Sequence, residues 1–117
     1  MKIVNREQFM QLPAGTLYSL YTPFVMNGLY LRGETFAACD FLQMNLIGQL
    51  SDVGGDFETA CDRMEAGESV PVEFRDYERD GMFDNLQQFA VYENKDIRAM
   101  IGVLMQAVEA TEPHDLR

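Results

Sequence analysis

The chain has 117 residues, 47% of them hydrophobic, and a formal net charge of −10. This length predicts one domain with its own core, 1–110, and a short C-terminal tail, 111–117. The apolar fraction is too high for a disordered chain. The excess of acids repels nucleic acid and anionic membranes, so we expect neither as a direct partner.

The first half of the chain predicts a short helix followed by three strands. Asn5 is a good helix cap, and Leu12-Pro13-Ala14-Gly15 ends a helix over 5–11. The aromatic run 16–26 predicts a strand. Asn27-Gly28 predicts a type I′ hairpin turn because both residues tolerate positive φ. The return strand begins at 29–32, Gly33-Glu34-Thr35 is a break, and 41–47 alternates as a half-buried strand.

The second half predicts a helix, two strands and a last helix. Asp56 caps a short helix with Phe57, Ala60, Cys61 and Met64 on one face and Gly67 just past its end. Val70, Val72 and Phe74 alternate with charged residues and indicate a strand. Asp80-Gly81 is a turn signal, and 89–92 is the last strand.

The final helix, capped by Asn94, carries the clearest pattern in the chain. We number this third predicted helix α3, with its stripe over 97–108, and call its apolar residues the α3 stripe. They are spaced as one helical face: Ile97, Met100, Ile101, Leu104, Met105 and Val108. Such a face requires an apolar partner, and the sheet is the expected one. The sequence therefore predicts an α+β domain. Its curved, mainly antiparallel sheet of about five strands, or small open barrel, carries this amphipathic helix and two short helices.

The sequence offers no catalytic or metal-binding motif, and we expect neither an enzyme nor a cofactor. The single histidine, His114, lies in the tail, so a base for a nucleophilic triad is not evident. Asp76 to Gly81 resembles the start of an EF-hand loop, but Gln87 occupies the position of the bidentate Glu. Cys39 and Cys61 match no metal or redox spacing, so we expect reduced, partly buried thiols and a cytoplasmic protein. Neither a signal peptide nor a membrane span is indicated.

Negative charge is concentrated between Asp52 and Asp84, where eleven acids minus three arginines give −8 of the total −10. Two interpretations fit this segment: a solubilising face, or a binding surface that imitates a polyanion and docks onto a basic protein. The second interpretation gives the candidate binding residues, which lie on the predicted second helix and just after it: Glu58, Asp62, Glu65, Glu73, Asp76, Glu78 and Asp80.

Two segments carry a resemblance to known proteins. The opening MKIVNREQFMQLPAGTLYSLYTPFVMNGLYLRGET and the later FAVYENKDIRAMIGVLMQAVEA resemble small uncharacterised accessory proteins of tailed phages and prophages. The resemblance covers about half the chain and assigns no site residue. It implies a viral accessory protein in the host cytoplasm, and proteins of that kind include anti-defence inhibitors.

The sequence therefore favours a non-enzymatic acidic protein that inhibits a host factor, such as a nucleic-acid-binding or defence protein, by occupying its basic surface. Two alternatives remain open. One is a module that sequesters a nucleotide signal between Tyr18, Tyr21 and Tyr30, its phosphates held by arginines: Arg32, Arg75 and Arg79. The other is a structural or assembly protein, and a homo-oligomer is compatible with the sequence.

Overall fold

A computed structural model describes residues 1–50, 57–74 and 76–113 of the chain. These residues form three helices and six strands, and the six strands make one antiparallel sheet. The helices are α1 (Arg6–Met10), α2 (Phe57–Glu65) and α3 (Asn94–Thr111). The strands are β1 (Lys2–Val4), β2 (Leu17–Thr22), β3 (Val25–Phe36), β4 (Asp40–Asn45), β5 (Glu78–Arg79) and β6 (Gln88–Val91). The predicted α+β class and antiparallel sheet are confirmed, and the sheet is open, with six strands.

The sheet runs in the order β1-β6-β2-β3-β4-β5, so β1 and β5 are its edges. Strand β1 was missed because its three residues are too few to show a period. Consecutive strands β2, β3 and β4 pair as hairpins, and β6 inserts between β1 and β2. The last strand before α3 therefore lies second from the edge of the sheet, between β1 and β2.

The prediction of a hairpin turn at Asn27-Gly28 was wrong. Thr22 pairs with Val25, so the two-residue turn is Pro23-Phe24, with Phe24 at φ +67°. Gly28, at φ +72°, instead lies where the β2–β3 register slips by one residue. Positive φ is thus required there for a bulge rather than a turn.

The break predicted at Gly33-Glu34-Thr35 was also wrong, because β3 continues to Phe36 through a second one-residue slip against β4. A Cβ added at Gly33 would lie 2.9 Å from the Tyr77 ring and 3.0 Å from Leu42 Cβ. Glycine therefore allows neighbouring chain segments to approach β3 closely.

Segment 70–74 does not form the predicted strand. Only Val72 makes a bridge, to Leu50, and the regular pairing with β4 occurs later, at β5. Alternation alone could not distinguish these two positions, because both segments are short and exposed. The predicted cap Asp56 lies outside the described residues, as do residues 51–55 and His114.

The core lies beneath α1 rather than α3. Phe9 of α1 is fully buried; its ring stacks on Phe89 with centroids 4.0 Å apart, and meets the rings of Tyr18 and Phe41 edge-on. Asn5 caps α1 through a reciprocal pair of hydrogen bonds with Gln8. This capping box satisfies two backbone N–H groups and stabilises the start of the helix.

The prediction that the α3 stripe packs on the sheet was wrong. Helix α3 begins at Asn94, as predicted within two residues, with Glu93 rather than Asn94 as its cap. None of its residues, all within the described range, is buried, and Leu104 is 64% exposed. The core aromatics lie on the face that α1 covers, and most of the apolar surface of α3 is left open.

Candidate binding surface

Three of the seven candidate acids lie on α2. Glu58, Asp62 and Glu65 are exposed, and Ala60 is the only buried residue of this helix. The one basic residue of α2, Arg63, donates from Nε and Nη2 to Oε1 of Glu68, at 3.2 and 3.0 Å. Arg63 is therefore already paired, and the acidic face of α2 keeps its negative charge.

Three more candidates follow the β5 edge of the sheet. Glu73 is half-buried, and its backbone N–H donates to the Gln49 carbonyl. Asp76 and Glu78 are exposed, and Glu78 pairs in register with Gln43 of β4. Charged side chains on a short edge strand also prevent pairing with other chains. The edge is thus strongly acidic, but edge protection explains part of its charge.

The seventh candidate, Asp80, is nearly buried and is paired within the fold. Its Oδ2 accepts a hydrogen bond from Arg6 Nη1 at 3.0 Å, and both side chains are nearly buried. This ion pair joins α1 to the segment that follows β5. Asp80 is therefore removed from the set of residues available for docking.

A second buried carboxylate, Asp40, was missed by the sequence analysis. Asp40 is fully buried at the start of β4 and accepts from the backbone N–H groups of Phe41 and Gly81. Its Oδ2 also accepts from Arg79 Nε at 3.0 Å. Burial opposes ionisation, but these donors outweigh it and hold the pKa of Asp40 below its usual value. The only sequence signal was a lone acid beside an apolar strand.

Arg32 is a cation buried among aromatic rings. Its guanidinium carbon lies 5.6 Å from the Phe9 ring centroid and 5.5 Å from that of Phe41. The group donates to the Gly33 carbonyl at 2.6 Å and to Thr35 Oγ1 at 2.9 Å, while Nε has no partner among the described residues. Burial lowers the pKa of Arg32. This side chain holds β3 against the core.

Among the described residues named for a nucleotide site, Tyr18 and Arg32 are closed to a ligand. Tyr18 is fully buried, stacks on Tyr30 and donates to Gln43 Oε1 at 2.6 Å. Arg32 is 1% exposed, and Arg79 is paired with Asp40. Arg75 lies outside the described residues. A stacking wall needs an exposed ring face, which Tyr18 does not offer.

An apolar groove of about 470 Å³ separates the first half of α3 from the sheet. Its lining comes from both sides: Met1, Leu29, Tyr92, Asp96, Ala99, Met100, Val103 and Leu104. The amino group of Met1 lies 2.6 Å from Asp96 Oδ2 and 3.0 Å from Glu93 Oε1. These ion pairs hold the start of α3 beside β1, while the rest of the helix extends away.

Within 1–50, 57–74 and 76–113, no group of three or more His, Cys, Asp or Glu side chains could hold a metal ion. None of the helices described is long and apolar enough to cross a membrane. Both cysteines are free; Cys61 is partly buried as expected, but Cys39 is exposed.

No family model, curated protein or solved structure matches the chain.

Proposed function

We propose that this chain is a non-enzymatic binding protein that docks onto a basic protein surface through the acids of α2 and of the β5 edge. The observation that carries the proposal is the α2 face. Glu58, Asp62 and Glu65 are exposed there, and the one cation of the helix is paired with Glu68. Exposed acids raise the local concentration of basic proteins and speed their association.

The partner class follows from charge and from the resemblance to phage accessory proteins. A host nucleic-acid-binding or defence protein presents the basic surface that an acidic face would occupy, and occupation would inhibit it. The site of action would be the host cytoplasm. The docking set is Glu58, Asp62 and Glu65 with Glu73, Asp76 and Glu78; Asp80 is excluded because it is bound to Arg6.

The test uses a charge-reversed variant with a matched control. Glu58→Lys/Asp62→Lys changes the net charge by the same amount as Glu7→Lys/Glu34→Lys, whose exposed acids lie on α1 and β3. Parent and variants serve as bait in bacterial lysate at low and high salt. We expect a basic protein that the parent and control retain at low salt, that high salt releases, and that the α2 variant does not retain.

Association rates with the retained protein then separate docking from solubility. The α2 reversal should slow association more than it speeds dissociation, because steering acts on the encounter. If parent and α2 variant associate equally fast at low salt, the acidic face only keeps the chain soluble.

A second candidate function, a structural or assembly role, is favoured by the exposed α3 stripe. An assembly protein would retain its interactions when the α2 acids are reversed, and would lose them when the stripe is made polar.

A further inference from the structure

Helix α3 is the neutral, apolar element of an acidic chain. Lys95 and Arg98 balance Asp96 and Glu109, and no charged residue occurs from Ala99 to Val108. A helix that is apolar around most of its circumference is normally buried. Here the α3 side chains are largely open, with relative exposures of 54% for Ile101, 64% for Leu104 and 51% for Met105.

We propose that α3 packs antiparallel against α3 of a second copy of this chain, around a twofold axis near Val103 and Leu104. The inference goes beyond the proposed function and does not depend on it. Two copies that each carry a charge of −10 repel one another, and their approach costs least where both are neutral. Helix α3 is such a place, since its own charges sum to zero.

The charges that flank the stripe select the antiparallel orientation. Arg98 and Glu109 are eleven residues apart, which at 3.6 residues per turn places them about 20° apart on the same side of the stripe. Same-side residues face each other in an antiparallel helix pair. Arg98 of each copy then lies beside Glu109 of the other, and symmetry repeats the contact. Within one copy, Arg98 bonds only the neutral Oδ1 of Asn94 among the described residues.

The helix dipole also favours the antiparallel orientation of the two α3 helices. A positive charge near the first turn and a negative charge near the last are unfavourable in an isolated helix. Arg98 and Glu109 have this reversed arrangement, and α3 has no basic residue in its last turn. An antiparallel neighbour brings an acid to the start of each helix and a base to its end.

The area that α3 offers is near the lower limit for a specific interface, as expected for a weak dimer. A helix of this length is about 27 Å long and 10–12 Å across, so covering half of it removes roughly 450 Å² per copy. The pair then buries about 900 Å², just under the roughly 1,000 Å² lower limit for a specific interface and below the standard size of about 1,600 Å². The apolar groove beside Leu29 and Tyr92 continues from α3 and supplies further area.

Sedimentation velocity across a dilution series tests the association. We expect a dimer that dissociates on dilution, because the interface is small. Leu104→Glu should be monomeric throughout with an unchanged circular dichroism spectrum. The matched control Met82→Glu changes an exposed apolar residue outside α3 and should leave the dimer intact. A parent that is monomeric at every concentration, or a dimeric Leu104→Glu, would overturn the proposal.

Charge exchange tests the pairing of the flanks. Arg98→Glu and Glu109→Arg should each weaken the dimer by roughly tenfold, because each places like charges together twice. The double variant Arg98→Glu/Glu109→Arg should recover the parent affinity. Failure of the double variant to recover would show that these residues do not face each other.

Disulfide trapping tests the direction, in a background in which Cys39 and Cys61 are replaced by serine and alanine. Leu104→Cys lies near the twofold axis and should cross-link. Arg98→Cys should not cross-link, since the two introduced cysteines would be about 16 Å apart along the helix axis. Equal cross-linking at both positions would indicate a parallel pair and refute the proposal. Vesicle flotation tests the alternative that α3 binds a membrane. A monomer that co-floats with neutral lipid vesicles, and no longer does so as Leu104→Glu, would refute the dimer and indicate a membrane-binding surface.

Discussion

Asp40 shows how a single buried carboxylate can join three parts of this chain. It lies at the start of β4, binds the backbone of Phe41 and Gly81, and pairs with Arg79 of β5. The nearby pair between Arg6 and Asp80 fastens α1 to the same region. Two of the chain's many acids are therefore structural, although their residue type gives no sign of it.

Asp40→Asn should lower the free energy of unfolding by roughly 2–3 kcal/mol near neutral pH. The substitution removes the negative charge of a fully buried side chain and weakens the hydrogen bonds that its carboxylate accepts. Since the folded pKa of Asp40 is depressed, its stabilisation is complete above about pH 4 and is lost as pH falls through the lower folded value. The difference between parent and variant should therefore shrink in acid. Guanidinium unfolding at several pH values measures it.

The exposed carboxylate Asp62 supplies the control for Asp40. Asp62→Asn should change stability by no more than about 0.5 kcal/mol, as surface substitutions usually do. If Asp40→Asn costs equally little, the Asp40 carboxylate does not hold β4 to the segment after β5.

At the level of elements, glycine has opposite roles in β3 and α3. Gly28 lies in a bulge at φ +72°, and a Cβ there would lie 2.5 Å from the Tyr30 ring. Gly102 lies in the middle of α3, where an added Cβ would meet nothing within 4 Å. The bulge needs its glycine, whereas in the helix a glycine only weakens the backbone.

Alanine at these two positions should therefore change stability in opposite directions. Gly28→Ala should lower the free energy of unfolding by about 1–3 kcal/mol, because a strained backbone and a steric clash act together. Gly102→Ala should raise it by up to about 1 kcal/mol through helix propensity. Thermal unfolding at low protein concentration measures both. A stabilised Gly28→Ala would contradict the bulge assigned to β3.

On the scale of the whole molecule, the chain is elongated. Its radius of gyration is 17.0 Å and its extents are 54 × 35 × 26 Å. A compact domain of this length has a radius of gyration of about 13 Å. The core beneath α1 is small, and α3 extends from the sheet with none of its own residues buried.

Small-angle X-ray scattering at low concentration should therefore give a monomer radius of gyration near 17 Å. Leu104→Glu should keep this value, since Leu104 supports no core packing within one copy. A monomer radius near 13 Å would instead mean that α3 folds back onto the sheet in solution.

The sequence by itself determined the local elements with strong periods and caps. The α3 stripe, the Asn5 cap of α1 and the antiparallel strands follow from residue spacing and backbone preference, which act over a few neighbouring residues. The excess of acids after Asp52 is likewise a property of composition.

Tertiary structure decided which faces found partners. Asn27-Gly28 permits positive φ in either a turn or a bulge, and only the pairing of β2 with β3 selects the bulge. Asp80 and Glu78 are both acids of the same segment, but only Asp80 lies beside Arg6. The apolar spacing of the α3 stripe predicts that this face packs against a partner, but it does not identify the partner. Whether that partner is the chain's own sheet depends on how Phe9, Tyr18, Phe41 and Phe89 fill the core, and these residues are far apart in sequence.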